Sequence, residues 1–354
     1  MNSGPRLLVA GLACLVAAQA LAWWVIAPRR QELAPQQEVF AALTPGEFAG
    51  TLMLGGFRGL ACDLLWMRAD SAKQNGRFYE SVALFQAISR IQPRFEQPWQ
   101  FMAWDLAYNL SHEVEDRRAK WSWIQAGIET AIRGFDRNPH SEKLLRHLAW
   151  LFHHKGDLFH EEVESAAWAP ILTPVLAEVN RQVLPAYRQE KRLESGASNF
   201  AISAQLYRCC VALADGRTDG RGYLSAQFVR RMIPLALESD GNIRRNQGRH
   251  LVALKSYLDS LKAWQEVRTW NEGTSKNEGE TNQRMVSAGS YERNEGRLRR
   301  KTARLVEDLA KDADTGKRCA QAILDRDWAT VDRELVRPAW KDVANHQRLR
   351  WLDE

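Results

Sequence analysis

The sequence predicts an all-α fold, and three observations predict it. Only 22 Gly and 12 Pro punctuate 354 residues, too few for the frequent tight turns of a β-rich chain. Charged residues make up 26% of the chain and recur every few positions, and β-branched runs bounded by turn residues are scarce. A spacing of small, aromatic, Gly and Pro residues also repeats along the first half at a period of about 34 residues, the length of one helical hairpin. Fourteen Trp supply large apolar surfaces whose N–H groups need partners, and the length suits one large or two medium domains.

The first element is apolar. Leu7 to Ala27 runs 21 residues without a charge, the length a helix needs to cross a bilayer. Arg6 and Arg29-Arg30 bound it, and Trp23-Trp24 sit where aromatic rings favour the membrane interface. Ala18-Gln19-Ala20 and Ala20-Leu21-Ala22 resemble signal-peptide cleavage sites. Because the apolar run continues past both through Trp23, Val25 and Ile26, a retained anchor is expected over a cleaved leader. The flanking positive charges are nearly balanced, and a very short leading tail favours export of the bulk of the chain. The expectation is a single-pass protein of an inner, cytoplasmic membrane with its soluble part on the periplasmic side.

The repeat follows. A first 34-residue frame, ending two residues after Pro93, puts Ala69 at the small crossing position of a first helix. It puts Gly76 in the turn, Phe78 and Phe85 on the second helix, and Pro93 where that helix stops. A second frame from Glu96 places Trp99 as the large anchor and Ala103 as the small contact. A third from Glu142 places Leu145, Leu148 and Ala149 on its first helix and Gly156 at its turn. The small residue lets two helices approach while an aromatic fills the gap to the next hairpin. On these residues, from about Leu60 to Leu158, the chain resembles the tetratricopeptide repeat. It departs from that pattern in the second unit, where SHEVEDRRAKWSW inserts about ten residues and the second-helix aromatic is lost. The strings LGGFRGLACDLLWMRAD, QPRFEQPWQFMAWDLAYNLS and RHLAWLFHHKGD are also similar to membrane-anchored repeat proteins of planctomycete and verrucomicrobial type. That resemblance implies the fold and the anchor and is silent on activity.

The expected architecture is therefore a tetratricopeptide-like helical-hairpin solenoid with an N-terminal transmembrane helix and a C-terminal helical hairpin or cap. Residues 1–30 form the anchor, 31–160 the repeat core, 161–270 further helical repeats, 271–293 a flexible polar loop and 294–354 the terminal hairpin or cap. Within the third part, Ile171–Gln189, Phe200–Ala214 and Tyr223–Glu238 read as helices, with a break at Asp240-Gly241-Asn242. Leu251, Leu254, Leu258 and Leu261, and later Leu298, Leu305 and Leu309, form heptad-like stripes of two antiparallel helices. Trp328, Trp340 and Trp351 belong to the cap.

Catalytic signatures are missing from the sequence. His112-Glu113 opens a zinc-protease motif that fails at Asp116, and no phosphate-binding Gly loop, nucleophile elbow or dinucleotide fingerprint occurs. His153, His154, Asp157, His160, Glu161 and Glu162 are metal-capable, but a turn with surface histidines is the simpler reading. Cys14, Cys62, Cys209, Cys210 and Cys319 show no metal or disulfide framework, so packing roles are expected. No enzyme, no catalytic residue, no cofactor and no metal is expected. A run of Arg297, Arg299, Arg300, Lys301 and Arg304 is interleaved with acids and reads as a solvated helix face. It lies in the basic half: from Arg181 to Glu354, 32 Lys and Arg face 24 Asp and Glu.

The leading function is a scaffold that holds a partner protein or peptide beside the membrane. The repeat frame collects Trp66, Lys73, Gln74, Gln100, Trp104, Tyr108, Asn109, Lys143, Arg146, Trp150 and His153 on first helices, with Asp63 and His154 beside them. Amides, aromatics and cations together suit an extended peptide. Two alternatives stand: a cell-envelope glycan-acting enzyme using Asp63, Asp70 or Glu113, and a binder of anionic lipid or nucleic acid through the C-terminal basic helix. Nucleic acid is disfavoured as a partner; the membrane contact is expected through residues 7–27.

Overall fold

The computed structural model describes residues 57–165, 168–189, 193, 197–216, 226–277, 288–309, 313–331 and 333–334. The described residues are helical and contain no β-strand, as an all-α fold requires. The chain divides into two compact units, Met1–Asn138 and Pro139–Glu354, a boundary inside the segment 31–160 that the repeat frame treats as one core. None of the described helices is long and apolar enough to cross a membrane. The anchor expected at Leu7–Ala27 lies outside the described residues.

In the first unit α1 (Arg58–Gln74) and α2 (Phe78–Ile91) form a hairpin. Its turn is set by Gly76 at φ +71°, a left-handed conformation that glycine adopts without a steric cost. The Gly76 N–H donates to the Lys73 carbonyl at 3.0 Å and the Arg77 N–H to the Ala72 carbonyl at 2.9 Å, the bonds of a Schellman cap that satisfies the last carbonyls of α1. Ala69 and Ala72 are fully buried, so the two backbones approach closely. Around them pack Cys62, Phe85, Ile88 and Met102, with Leu65, Phe95 and Phe101.

The second pair is α3 (Glu96–Trp104) and α5 (Arg117–Arg137). Between them α3 passes into a π-helical segment, Asp105–Leu110, and a last turn, α4 (Ser111–Glu113). Much of the expected insertion is thus helical: it lengthens the first helix and begins the second, whose start is capped by the Asp116 carboxylate accepting from the Ala119 N–H at 2.8 Å. The two pairs are tied at Pro93, whose carbonyl accepts from the Trp99 indole at 3.0 Å and the Asn138 amide at 3.2 Å.

Gly127 of α5 crosses the π-helix so closely that a Cβ there would lie 2.8 Å from both the Ala103 carbonyl oxygen and the Ala107 Cβ. Gly127→Leu is therefore expected to destabilise the first unit by about 1–3 kcal/mol through overpacking. Gly59 of α1 has open space around it, so Gly59→Ala should stabilise by roughly 0.5–1 kcal/mol. Urea denaturation of both variants measures the contrast, and equal midpoints would refute the close crossing.

In the second unit α6 (Glu142–His154) starts at Ser141 and α9 (Asn199–Asp215) at Ser198. Each hydroxyl accepts from the backbone N–H three residues on, Leu144 at 3.2 Å and Ala201 at 3.0 Å. Between them lie α7 (His160–Ser165) and α8 (Trp168–Gln182). Helix α9 is buried along nearly its whole circumference, against α6, α8 and the following α10 (Ala226–Asn246). A helix apolar all round belongs inside a stack. Then α11 (His250–Asn277), α12 (Ala288–Leu309), α13 (Ala313–Asp325) and α14 (Trp328–Val331) follow. Leu254, Tyr257, Leu261, Trp264, Leu298, Leu305 and Ile323 form their shared core, with Trp328 packed against it. Trp340 and Trp351 lie outside the described residues.

Two expectations are corrected. The break at Asp240-Gly241-Asn242 is not one: α10 continues through it to Asn246. Gly241 fits there because a Cβ would meet the buried Tyr257 ring at 2.4 Å, and the Asp240 carboxylate accepts from the Ser198 and Ser256 hydroxyls. The helix ends instead at Gly248, φ +75°. The loop expected at 271–293 is shortened at both ends, because α11 runs to Asn277 and α12 begins at Ala288.

Candidate functional site

The first unit offers a polar centre in its π-helix. A π-helical segment admits an extra residue per turn and often marks a functional position. Here it carries Asp105, whose side chain is wholly buried. One carboxylate oxygen accepts from the Ser81 hydroxyl of α2 at 3.0 Å. The other accepts from the Asn109 amide at 2.7 Å and pairs with the Lys73 ammonium of α1 at 3.1 Å. Lys73 lies 4.6 Å from the centre of the Phe101 ring, a cation–π contact that adds to its fixation. Three helices thus meet on one carboxylate. Asp105 cannot touch a substrate from that position; its chemistry is to hold the π-helix in register.

On that segment's outer side Trp104 and Tyr108 stack face to face, 3.9 Å between ring centres and 10° between planes. Trp104 is 38% exposed, and Tyr108 is half-buried. Trp66 is placed differently. It packs among Phe85, Phe95 and Phe101 at 5.2, 5.4 and 5.5 Å, within the hairpin's aromatic cluster. Gln74 donates to Asp70 at 2.7 Å on the surface, and Gln100 is half-buried on α3. Of the expected groove residues of this unit, the structure joins Lys73 with Asn109 on Asp105, and Trp104 with Tyr108.

In the second unit Lys143, Arg146, Trp150 and His153 all lie on α6. Lys143 is exposed and the other three are half-buried. The Trp150 ring is parallel to those of His154, at 5.2 Å, and His153, at 6.1 Å. His153 meets the edges of Phe200 and Tyr207 from α9. Beside Arg146, His147 has a pKa lowered to about 4, first by burial and then by the Arg146 charge, so its ring is neutral at physiological pH. Among the described residues no three His, Cys, Asp or Glu side chains are grouped to hold a metal ion.

Asp63, Asp70 and Glu113, the residues weighed for acid–base chemistry, are exposed. Cys209 and Cys210 are buried free thiols, and burial pushes the Cys209 thiol up to about 12, which disfavours the reactive thiolate. The sequence did not single out Asp105, because an Asp next to exposed helix positions reads as a solvated charge. Its only local signal was Asn109, one turn on. Set against known proteins, the chain matches no protein-family model and no curated protein.

Proposed function

We propose that the protein is a membrane-anchored scaffold whose helical hairpins bind a partner protein or peptide, with the Trp104–Tyr108 pair as the anchor point. The carrying observation is that pair: two large rings kept stacked at the surface of a segment whose backbone is held from beneath by a buried ionic centre. Exposed, rigid aromatic surface is the kind that dominates interface energies. A second apolar feature of the same unit supports the reading. Leu60, Leu64 and Met67, spaced on one face of α1, are 56%, 55% and 60% exposed, more apolar surface on one stripe than an isolated helix face usually leaves in water.

The hairpin geometry supports a tetratricopeptide-like solenoid as the framework, through buried Ala69 and Ala103 at the crossings and Gly76 at the turn. The uncharged stretch Leu7–Ala27 supports the anchor. The full chain, purified from membranes with its partners, tests the proposal. Trp104→Ala combined with Tyr108→Ala is expected to lose the captured partner while circular dichroism and melting stay close to those of the parent. Retention of every partner by a folded double variant would sink it, and loss on Arg146→Ala alone would move the site to α6.

A further inference from the structure

The basic run on α12 does not behave as one patch. Arg299 turns to the interior, where it lies 3.6 Å from Glu295 and donates to the Leu324 carbonyl. Glu295 also pairs with Arg268 at 2.6 Å and Arg326 at 2.7 Å, so that acid is committed to its own face of the helix. The remaining four cations, Arg297, Arg300, Lys301 and Arg304, fall at i, i+3, i+4 and i+7, one face of a helix. They line a cavity of about 260 Å³, and a fifth cation, Arg245 from the last turn of α10, closes it. Every described residue lining this cavity is basic.

One carboxylate reaches the cluster. Glu238, buried on α10, lies 3.2 Å from Arg297 and 3.6 Å from Lys301. Lys301 is further placed by the Asn242 carbonyl oxygen and stands over the Tyr257 ring at 4.9 Å. Arg245, Arg300 and Arg304 have no carboxylate within 4.0 Å among the described residues. Glu307 and Asp308 follow one turn on, exposed and outside the cavity lining. Like charges at these helix spacings repel, and a cation at the end of α10 accounts for Arg245 alone. Glu238 accounts for Arg297 and Lys301, and Arg300 and Arg304 have no such reason to stand beside them. Burial lowers the Lys301 pKa against the pull of Glu238, and Arg297 and Arg245 lower it further.

We propose that this cavity is a binding site for a phosphate group carrying two or more negative charges, presented by a soluble phosphate ester or by a lipid headgroup. Arg300, Arg304 and Arg245 supply planar guanidinium forks that can bond phosphate oxygens in pairs. Arg297 and Lys301, oriented by Glu238 and Asn242, supply the inner charges. A volume of about 260 Å³ corresponds to roughly nine water molecules at ~30 Å³ each, room for a diphosphate.

Calorimetric titration of the full chain with inorganic pyrophosphate at low salt tests the site. Binding is expected, and Arg300→Gln combined with Arg304→Gln should weaken it roughly tenfold or more. Melting should be unchanged in that variant, because both side chains are exposed. Arg90→Gln with Arg293→Gln, an equal loss of charge outside the cavity, should bind like the parent. Phosphatidylcholine vesicles carrying phosphatidic acid separate the sources. Vesicle capture lost in the Arg300/Arg304 variant assigns a headgroup, and pyrophosphate binding without vesicle capture assigns a soluble ester. The proposal is overturned by absence of pyrophosphate binding, by equal weakening in the control pair, or by a single-stranded oligonucleotide binding while pyrophosphate does not.

Discussion

Replacing Asp105 with alanine is expected to destabilise the first unit by about 3 kcal/mol, the largest single effect anticipated for that unit. Removing one partner of a buried ion pair typically costs about 3–5 kcal/mol, because the other charge is left without compensation. Lys73 is 26% exposed and can regain part of its hydration, which places the expectation at the lower end. Ser81 and Asn109 lose an acceptor in the same step, and each buried donor left unsatisfied adds about 1–3 kcal/mol. Asp105→Asn, which keeps the size and an acceptor oxygen, should cost less than alanine but more than a surface substitution. Thermal and urea unfolding of the three proteins measure the order. Asp105→Ala melting with the parent would show that the carboxylate does not hold the three helices. A second readout bears on function: loosening the π-helix should weaken partner capture through Trp104 and Tyr108 even under conditions where the variant remains folded.

Stability is expected to fall by about 2–3 kcal/mol as pH drops from 6.5 to 4, through His147 alone. The folded ring holds its proton only near pH 4, whereas the unfolded chain takes it up around 6.5. Between those values the unfolded state binds more protons than the folded one, so acidification favours unfolding; above pH 6.5 both states are neutral and the contribution disappears. His147→Gln should flatten this part of the pH–stability curve whatever its effect at neutral pH. Proton NMR of the ring in the folded protein gives the direct check, and titration near 6.5 would refute the assignment. The cause is tertiary. Burial within the second unit, with Arg146 adjacent on α6, disfavours the imidazolium.

Local signals in this chain were readable where one residue type has one physical reason to be there. Gly76 marks the turn between α1 and α2, and Pro93 the end of α2. Ala69 and Ala103 mark close crossings, since no larger side chain fits between packed backbones. Signals that depend on what lies across the fold were not readable. Gly241 looked like a helix breaker because a glycine in a polar stretch usually is one; the Tyr257 ring on α11 is what makes it a packing residue. The repeat frame puts both Trp66 and Trp104 on the groove face, but Phe85, Phe95 and Phe101 surround the first, while the second stays at the surface.

The candidate sites divide in the same way. The run from Arg297 to Arg304 was visible as charge density along the chain, but its partition was not. Arg299 separates from its neighbours because the helical period turns it toward Glu295, and Arg245 joins them from 52 positions away. Similarly, Asp105 becomes a centre only when Lys73 and Ser81 arrive from two other helices.

By itself, then, the sequence determined the helical class, the hairpin turns, the close helix crossings at Ala69 and Ala103, and the uncharged stretch at Leu7–Ala27. Those follow from backbone preference and from periodicity, which act within a few residues of one another. Only the tertiary structure decided which aromatic rings are core and which are surface, which charges are compensated, and that five cations enclose one cavity. Burial and Coulomb interaction act through space and are set by neighbours that sequence distance does not reveal.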